Sequence, residues 1–306
     1  MTARRRVRPA VTALALLAIA GLMPPRAVSH AQVTVRTTGH ELGDMLEDVG
    51  HLLRSPLRAD QKDWLGVALT GAGFAALLAI DKPVDDWVVR RPTEPALRVL
   101  APFREETGPL SRLVTAKQLV PLSAALIIAG AVTDRRGLRE AGWGCISGWG
   151  VSNIVRYTTY AIVSRDRPSA AEGEPLAFAV PGGGWNQHAF PAGHAMNAFA
   201  CTSFWSARFE LSVAEPVLYA GATLSALSRI ADRRHWSSDT FVGIVTGIAI
   251  GHTLARRYED RESSRATAAA LARNAGAATS SPADMATHHT RLVARRPVVI
   301  LWRGHF

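Results

Sequence analysis

Six apolar segments alternate with polar connections along most of this chain. They are rich in Ala, Leu and Gly and lack the alternation of a half-buried strand, so each is predicted to be a helix. The segments cover residues 64–80, 119–132, 141–163, 195–205, 216–230 and 240–254. Most contain only about 14–17 consecutive apolar residues, at the lower edge of what crosses a bilayer. The pattern predicts an all-α protein, a helical bundle of about six helices that are either short transmembrane helices or buried ones.

The two ends of the chain differ from this central part. Residues 1–31 combine clustered arginines, a short apolar core and small residues at 29 and 31, which together predict a signal peptide. Residues 32–63 are polar, with a predicted helix around residues 41–53, and residues 64–256 are predicted to form the helical-bundle domain. Residues 257–306 are rich in Ala, Ser, Thr and Arg, and are predicted to be a low-complexity, disordered or weakly helical tail.

The charges of the connections give two answers for the orientation in a membrane. Arginines follow the second, fourth and sixth apolar segments, and the positive-inside rule places those connections in the cytoplasm and the others outside. A cleaved signal peptide followed by six crossings would reverse this arrangement. Both alternatives place the protein in a bacterial cell envelope, either in the inner membrane or in the periplasm.

Composition removes some functional classes. The chain has 306 residues, 48% of them hydrophobic, and a net charge of +10. Part of that charge lies in the signal-like segment, and no basic stripe interleaved with aromatic residues follows it, which argues against nucleic-acid binding. Cys145 and Cys201 each lie in an apolar segment, so two buried thiols are favoured over a disulfide or a metal pair.

Three polar clusters lie at the ends of the apolar segments, and they carry the candidate chemistry. They cover residues 164–168, 190–194 and 228–239. In an up-and-down bundle these clusters meet at one end. They bring together histidines, arginines and an aspartate, without a set of Cys, His and carboxylate ligands. Because guanidinium groups bind phosphate oxygens in pairs and stay charged, the clusters predict phosphate chemistry without a protein-bound metal or cofactor.

Each residue type in these clusters indicates a role. His235 and Asp239 are four residues apart and would share a helix face, so that the carboxylate orients a nucleophilic ring and a phosphohistidine forms. His194 is the candidate general acid and base. The backbone at Gly193 begins a helix and can face an anion. Arg167 and Arg229 would neutralise the charge of the transition state.

The third cluster carries a family resemblance. Its pattern S-R-x5-H-x3-D resembles a signature of the type 2 phosphatidic acid phosphatase and vanadium haloperoxidase superfamily. Every fixed position is matched, by Ser228, Arg229, His235 and Asp239. The resemblance covers roughly residues 60–256. It implies an α-helical bundle, a phosphohistidine mechanism, a phosphate site that includes Ser228, and vanadate as a phosphate mimic.

The other two clusters depart from the family pattern at one position each. P-S-G-H is matched except that Ala192 replaces the serine, and K-x6-R-P is matched except that Tyr160 replaces the lysine. Two nearby arginines are candidates to supply the missing charge: Arg156, one helical turn before Tyr160, and Arg165, two residues before Arg167. A pocket with fewer cations disfavours a haloperoxidase, which needs tight vanadate binding.

Three functional hypotheses follow from these residues and from the resemblance. The first is a phosphatase that acts on lipid phosphates or pyrophosphates at the membrane, with an extracytoplasmic active site. The second is a soluble periplasmic acid phosphatase, and the third is a non-catalytic protein that binds phosphate groups. The lipid substrate and the membrane are the expected partners, and the sequence indicates no protein partner.

Overall fold

The computed structural model describes residues 36–104, 108–111, 115–171, 174–179, 184 and 187–279. The predicted signal peptide and the last part of the predicted tail lie outside these residues. Within them the chain forms eight α-helices: α1 (Arg36–Arg54), α2 (Gln61–Arg90), α3 (Pro95–Val99), α4 (Ala116–Val132), α5 (Arg136–Ile162), α6 (Gly193–Arg208), α7 (Ala214–Ala231) and α8 (Ser237–Thr279). The prediction of an all-α bundle is confirmed, and each predicted apolar segment coincides with one long helix.

The remaining regular structure is short. Two 3-10 helices cover Ser55–Arg58 and Ala101–Phe103. Strands β1 (Ser164–Arg165) and β2 (Phe178–Ala179) pair in antiparallel fashion between α5 and α6. This small pairing gives backbone partners to the polar connection that contains the first predicted cluster.

Helix α2 is longer than its apolar segment. The polar residues at 81–83 mark the end of that segment in the sequence, but the helix continues through Pro83 to Arg90. Its start is fixed by Asp60, whose side chain accepts from the amides of Lys62 and Asp63 in a capping box. Among the described helices, α2 alone is long and apolar enough to cross a membrane. Its most apolar window has a mean hydropathy of 1.6 and contains no buried residue.

Glycines set the distance between α6 and α8. A Cβ atom on Gly243, Gly247 or Gly251 would lie 2.5–2.6 Å from a carbonyl oxygen of α6 or its cap, closer than any real Cβ contact. These glycines recur every fourth residue and therefore share one face of α8. The two backbones approach closely along this face. The starts of α6 and α8 therefore lie side by side, which brings the second and third predicted clusters together.

A disulfide joins α5 to α6, contrary to the prediction of two buried thiols. Cys145 and Cys201 are bonded, and their Cα atoms are 4.6 Å apart. Both residues are buried in a core that also contains Val151, Met196 and Phe204. The apolar pattern places each cysteine inside the protein, but only the packing of the two helices shows that they face each other.

Helix α1 lies at the start of α5 and near the middle of α8. Glu41 accepts hydrogen bonds from Arg139 Nε and from Trp143 Nε1, each at 3.0 Å. Asp48 is fully buried and accepts from Arg257 Nε at 2.6 Å. At a rise of 1.5 Å per residue, the first turn of α5 is about 30 Å from its last turn. The predicted helix at residues 41–53 is confirmed. It lies at the end of the bundle where α5 begins, away from the end where α5 finishes.

The chain divides into two compact units between Glu259 and Asp260. The described part of the second unit continues α8 as far as Thr279. The predicted disordered tail is therefore helical up to this residue. Its many Ala, Arg and Glu residues are strong helix formers, which explains a helix without an apolar period.

Candidate active site

The three predicted clusters meet around one cavity, at the end of α5, the start of α6, the end of α7 and the start of α8. The cavity has a volume of about 60 Å³. Its lining is strongly basic and includes two histidines: Arg156, Tyr157, Tyr160, Arg167, His194, Arg229, Arg234 and His235. Seven of these residues belong to the predicted clusters or to the positions discussed with them, and the exception is Tyr157.

His235 is buried and has a defined tautomer. Its Nδ1 lies 2.6 Å from the carbonyl oxygen of Ala189. A carbonyl oxygen can only accept, so Nδ1 carries the proton and Nε2 keeps a free electron pair. Burial lowers the pKa of His235 well below its usual value, and the Arg167 guanidinium lowers it further. The ring is therefore neutral near pH 7, as a nucleophile must be.

Asp239 does not bond to the His235 ring, contrary to the role predicted for it. Its carboxylate accepts from the amide of Trp236 at 2.9 Å and from the Arg165 guanidinium. A shared helix face requires both residues to be helical, but α8 begins only at Ser237, so His235 precedes the helix. Burial raises the pKa of Asp239 to about 7, and the Arg165 guanidinium and the Trp236 amide oppose this rise.

His194 is the second residue of α6 and faces the same cavity. Burial lowers its pKa to about 3, and the nearby Arg229, Arg156 and Arg167 guanidinium groups act in the same direction. The ring is therefore neutral near pH 7. A bound phosphate dianion would place negative charge among these guanidinium groups and raise the pKa of His194. Anion binding would thus prepare this ring to hold a proton.

Lowering the pH from 6.5 to 5 is expected to destabilise the protein through His194. Its pKa is 6.5 in the unfolded chain and about 3 in the folded one, so the unfolded chain takes up a proton first. The stability linked to this residue is complete above pH 6.5 and is lost as the pH falls towards 3. The loss reaches at most about 2 kcal/mol by pH 5. Thermal unfolding of the wild type and of His194→Asn measures it; a constant difference in Tm between them from pH 7 to 5 would contradict the expectation.

Three arginines of the cavity come from the first and third clusters. Arg167 and Arg229, the two predicted phosphate ligands, are 4% and 2% exposed. Arg229 also donates to Asp232, which holds its guanidinium in place. Arg234 lines the cavity as well and was not predicted. The only sequence signal for it is its position beside His235.

Arg156 is one of the two candidates to supply the missing charge. It lines the cavity, and its Nη2 donates to Asn153 Oδ1 at 2.5 Å. Its guanidinium carbon lies 4.4 Å from the centre of the Tyr157 ring, a cation–π contact. A Cβ atom on Gly193 would lie 2.4 Å from Arg156 Cδ, so the side chain passes directly over the start of α6.

Tyr160 stands where the family pattern has a lysine. Its hydroxyl donates to the carbonyl oxygen of Pro191 at 3.2 Å. Its ring stacks on His188, with 4.5 Å between the ring centres. Burial raises the pKa of Tyr160 to about 12, so the phenol stays neutral. Tyr160 therefore forms a wall of the cavity and adds no charge to it.

Arg165 lies outside the cavity, unlike Arg156. It is fully buried, and its guanidinium bonds to Asp81 and Asp239 and to the carbonyl oxygen of Pro175. Because its charge is already paired with two buried carboxylates, we interpret Arg165 as a structural cation. Of the two candidates for the missing charge, the structure places only Arg156 at the cavity.

The two remaining predicted phosphate ligands are near the cavity but do not present side chains to it. Ser228 is buried, and its hydroxyl donates to the carbonyl oxygen of Ser225 at 2.8 Å. Gly193 is the first residue of α6. The first amides of a helix have no acceptor within it, so the backbone at Gly193 stays a candidate to bind an anion.

Sequence reasoning missed Ala189, Asp81 and Asp85. Ala189 acts through its carbonyl oxygen, which no residue type reveals. The two aspartates lie in α2, far along the chain from the three clusters. Two carboxylates four residues apart at the end of an apolar segment were an available signal, since buried charges need partners.

This arrangement defines a class of site. One neutral histidine presents a free electron pair, a second can carry a proton, and four guanidinium groups surround them. Such a set can bind an oxyanion and support transfer of a phosphoryl group to nitrogen. Over the described residues, no three His, Cys, Asp or Glu side chains are grouped as metal ligands. The molecule is a helical bundle with a basic cavity that contains two histidines.

The family model of the PAP2 superfamily matches residues 141–263 of this chain. Among known proteins, the chain is similar to lipid A 1-phosphatase of Porphyromonas gingivalis, with 35% identity over 69 residues. The match spans 21% of this chain and only 15% of that relative. It also resembles the crystal structure of a transmembrane PAP2 type phosphatidylglycerolphosphate phosphatase from Bacillus subtilis, with a TM-score of 0.46 and 17% identity, covering 63% of this chain and 96% of the other.

Proposed function

We propose that this protein is a phosphatase that hydrolyses lipid phosphate or pyrophosphate monoesters through a phosphohistidine intermediate. The observation that carries the proposal is the neutral His235 ring, which lines a cavity together with four arginines and His194. Its proton is held on Nδ1 by the carbonyl oxygen of Ala189, which leaves Nε2 as the attacking atom.

The proposed reaction has two steps. In the first, Nε2 of His235 forms a bond to phosphorus while the bond from phosphorus to the ester oxygen breaks, and protonated His194 gives its proton to that oxygen. In the second, His194 takes a proton from water, whose oxygen attacks phosphorus and displaces Nε2. The arginines of the cavity stabilise the charge on the equatorial oxygens in both steps.

The substrate is proposed to be a lipid because of α2. Its exposed apolar surface and its length suit a bilayer, which favours the membrane enzyme over a soluble periplasmic phosphatase. The relatives are named for activity on lipid A and on phosphatidylglycerolphosphate, and both names agree with a phosphorylated lipid. The Cys145–Cys201 disulfide supports an oxidising compartment, and hence an extracytoplasmic site in the cell envelope.

Release of inorganic phosphate tests the proposal. The full chain, purified in detergent, is given phosphatidic acid, a polyprenyl pyrophosphate and the soluble ester p-nitrophenyl phosphate, each with and without EDTA. We expect release from the lipids to exceed release from the soluble ester and to persist in EDTA. Release that stops in EDTA would contradict metal independence. A protein that binds inorganic phosphate but releases none from any ester would be the non-catalytic alternative.

A further inference from the structure

Helix α2 buries two carboxylates beneath the candidate active site. Asp81 and Asp85 are 1% and 5% exposed, whereas the apolar part of the same helix contains no buried residue. An ionised carboxylate is costly to bury unless it is paired and hydrogen-bonded. The hydrogen-bond partners of Asp81, the more deeply buried of the two, therefore show what the helix does at the site.

Asp81 caps the start of α8 from another helix. Its Oδ1 accepts from the backbone amide of Ser238 at 2.9 Å, and its Oδ2 accepts from the Ser238 hydroxyl at 2.5 Å. Ser238 is the second residue of α8, so its amide has no acceptor within the helix. A cap residue usually supplies one, but the residue before α8 is Trp236, whose side chain can only donate. Asp81 replaces that missing cap.

The same carboxylate belongs to a bonded cluster that reaches the residue after His235. Arg165 Nη2 donates to Asp81 at 2.9 Å, and its Nη1 donates to Asp239 and to the Ser238 hydroxyl. Asp239 in turn accepts from the amide of Trp236. The backbone on one side of His235 is therefore held by this cluster, while the carbonyl oxygen of Ala189 holds its ring.

We propose that Asp81 is a positioning residue for the phosphatase reaction, acting through Ser238, Arg165 and Asp239 to fix the start of α8 and hence the line of attack of His235. The proposal rests on the proposed function, because it needs a reaction to position. Asp81 is not among the residues that line the cavity, so it acts without touching substrate. The helix best suited to cross the membrane thereby sets the geometry of the site.

Asp81→Asn is the direct test. The amide keeps the shape of the side chain but removes its charge and turns an N–H₂ group towards donors. A displacement of about 1 Å at a reacting atom costs up to about 100-fold in rate, so a smaller shift of His235 is expected to lower kcat by about 10-fold. KM and the inhibition constant of inorganic phosphate are expected to change by less than about twofold, because the four arginines of the cavity keep their places.

Asp86→Asn is the matched control. Asp86 lies on the same helix but at the surface, where it accepts from Lys82 Nζ at 3.0 Å. This variant is expected to keep the kcat of the wild type, and both variants are checked by thermal unfolding. If Asp81→Asn does not fold, Ser238→Ala decides, since it removes only the shared hydroxyl; a kcat about threefold below the wild type is expected.

Three results are informative in different ways. A kcat for Asp81→Asn within twofold of the wild type overturns the proposal, and so does an unchanged kcat for Ser238→Ala if that variant has to decide. A weaker inhibition by phosphate that parallels the loss of kcat also overturns it, because a general loosening of the site would have that effect. A wild type that releases no phosphate contradicts the proposed function instead.

Discussion

Replacing His235 with alanine is expected to abolish measurable phosphate release, a loss of at least about 1,000-fold in kcat. The variant removes Nε2, which keeps a free electron pair because Nδ1 of the same ring donates to the carbonyl oxygen of Ala189. The guanidinium groups of the cavity remain, so the dissociation constant of inorganic phosphate is expected to stay within about tenfold of the wild type. Initial rates with a lipid phosphate ester measure the loss of kcat, and calorimetric titration of each protein with phosphate measures the dissociation constant.

His252→Ala is the control for this prediction. His252 lies in α8, does not line the cavity and is partly exposed. Its replacement is expected to leave kcat unchanged. Residual activity of His235→Ala above about 1% of the wild type would argue that water, and not the histidine ring, is the attacking group.

Replacing Arg156 with glutamine is expected to reduce kcat/KM by about 10- to 100-fold, the value of one charge-assisted hydrogen bond. The side chain is placed over Gly193 and beside the Tyr157 ring, so that its charge faces the cavity where Tyr160 contributes none. The inhibition constant for vanadate is expected to rise by a similar factor, because vanadate presents the same oxygens to the same guanidinium group.

Arg135→Gln serves as the matched control for this variant. Arg135 precedes the other end of α5 and is exposed, so neither constant is expected to change. An unchanged vanadate constant for Arg156→Gln would show that the site functions without a replacement for the lysine of the family pattern.

The helices and the meeting of the three clusters could be predicted from sequence, because both depend on local pattern. Apolar segments predict helices, and clusters at successive helix ends predict one common end. The partner of His235 could not be predicted in this way. A spacing of four residues brings two side chains together only inside a helix, and α8 begins two residues after His235.

The contacts that were missed all join residues that are distant in the chain. Asp81 and Ser238 are 157 positions apart, and the bond between Cys145 and Cys201 spans 56 positions. No periodicity or spacing connects such pairs. The choice between Arg156 and Arg165 could not be made from the sequence for the same reason. Both are close to Tyr160 in the chain, and only the packing of α2 against β1 shows that Arg165 is already paired.

The position of α1 has a consequence for the sidedness of the protein. Its contacts lie at the start of α5, and α2 then leads from that end of the bundle to the cavity, where Asp81 meets α8. If α2 crosses the bilayer, Arg36–Arg54 and the cavity face opposite compartments. Signal peptidase acts on the outer side and would leave α1 there, with the cavity facing the cytoplasm. An outward-facing cavity therefore requires a cytoplasmic α1, and a signal-like segment, residues 1–31, that is retained instead of being cut off after export.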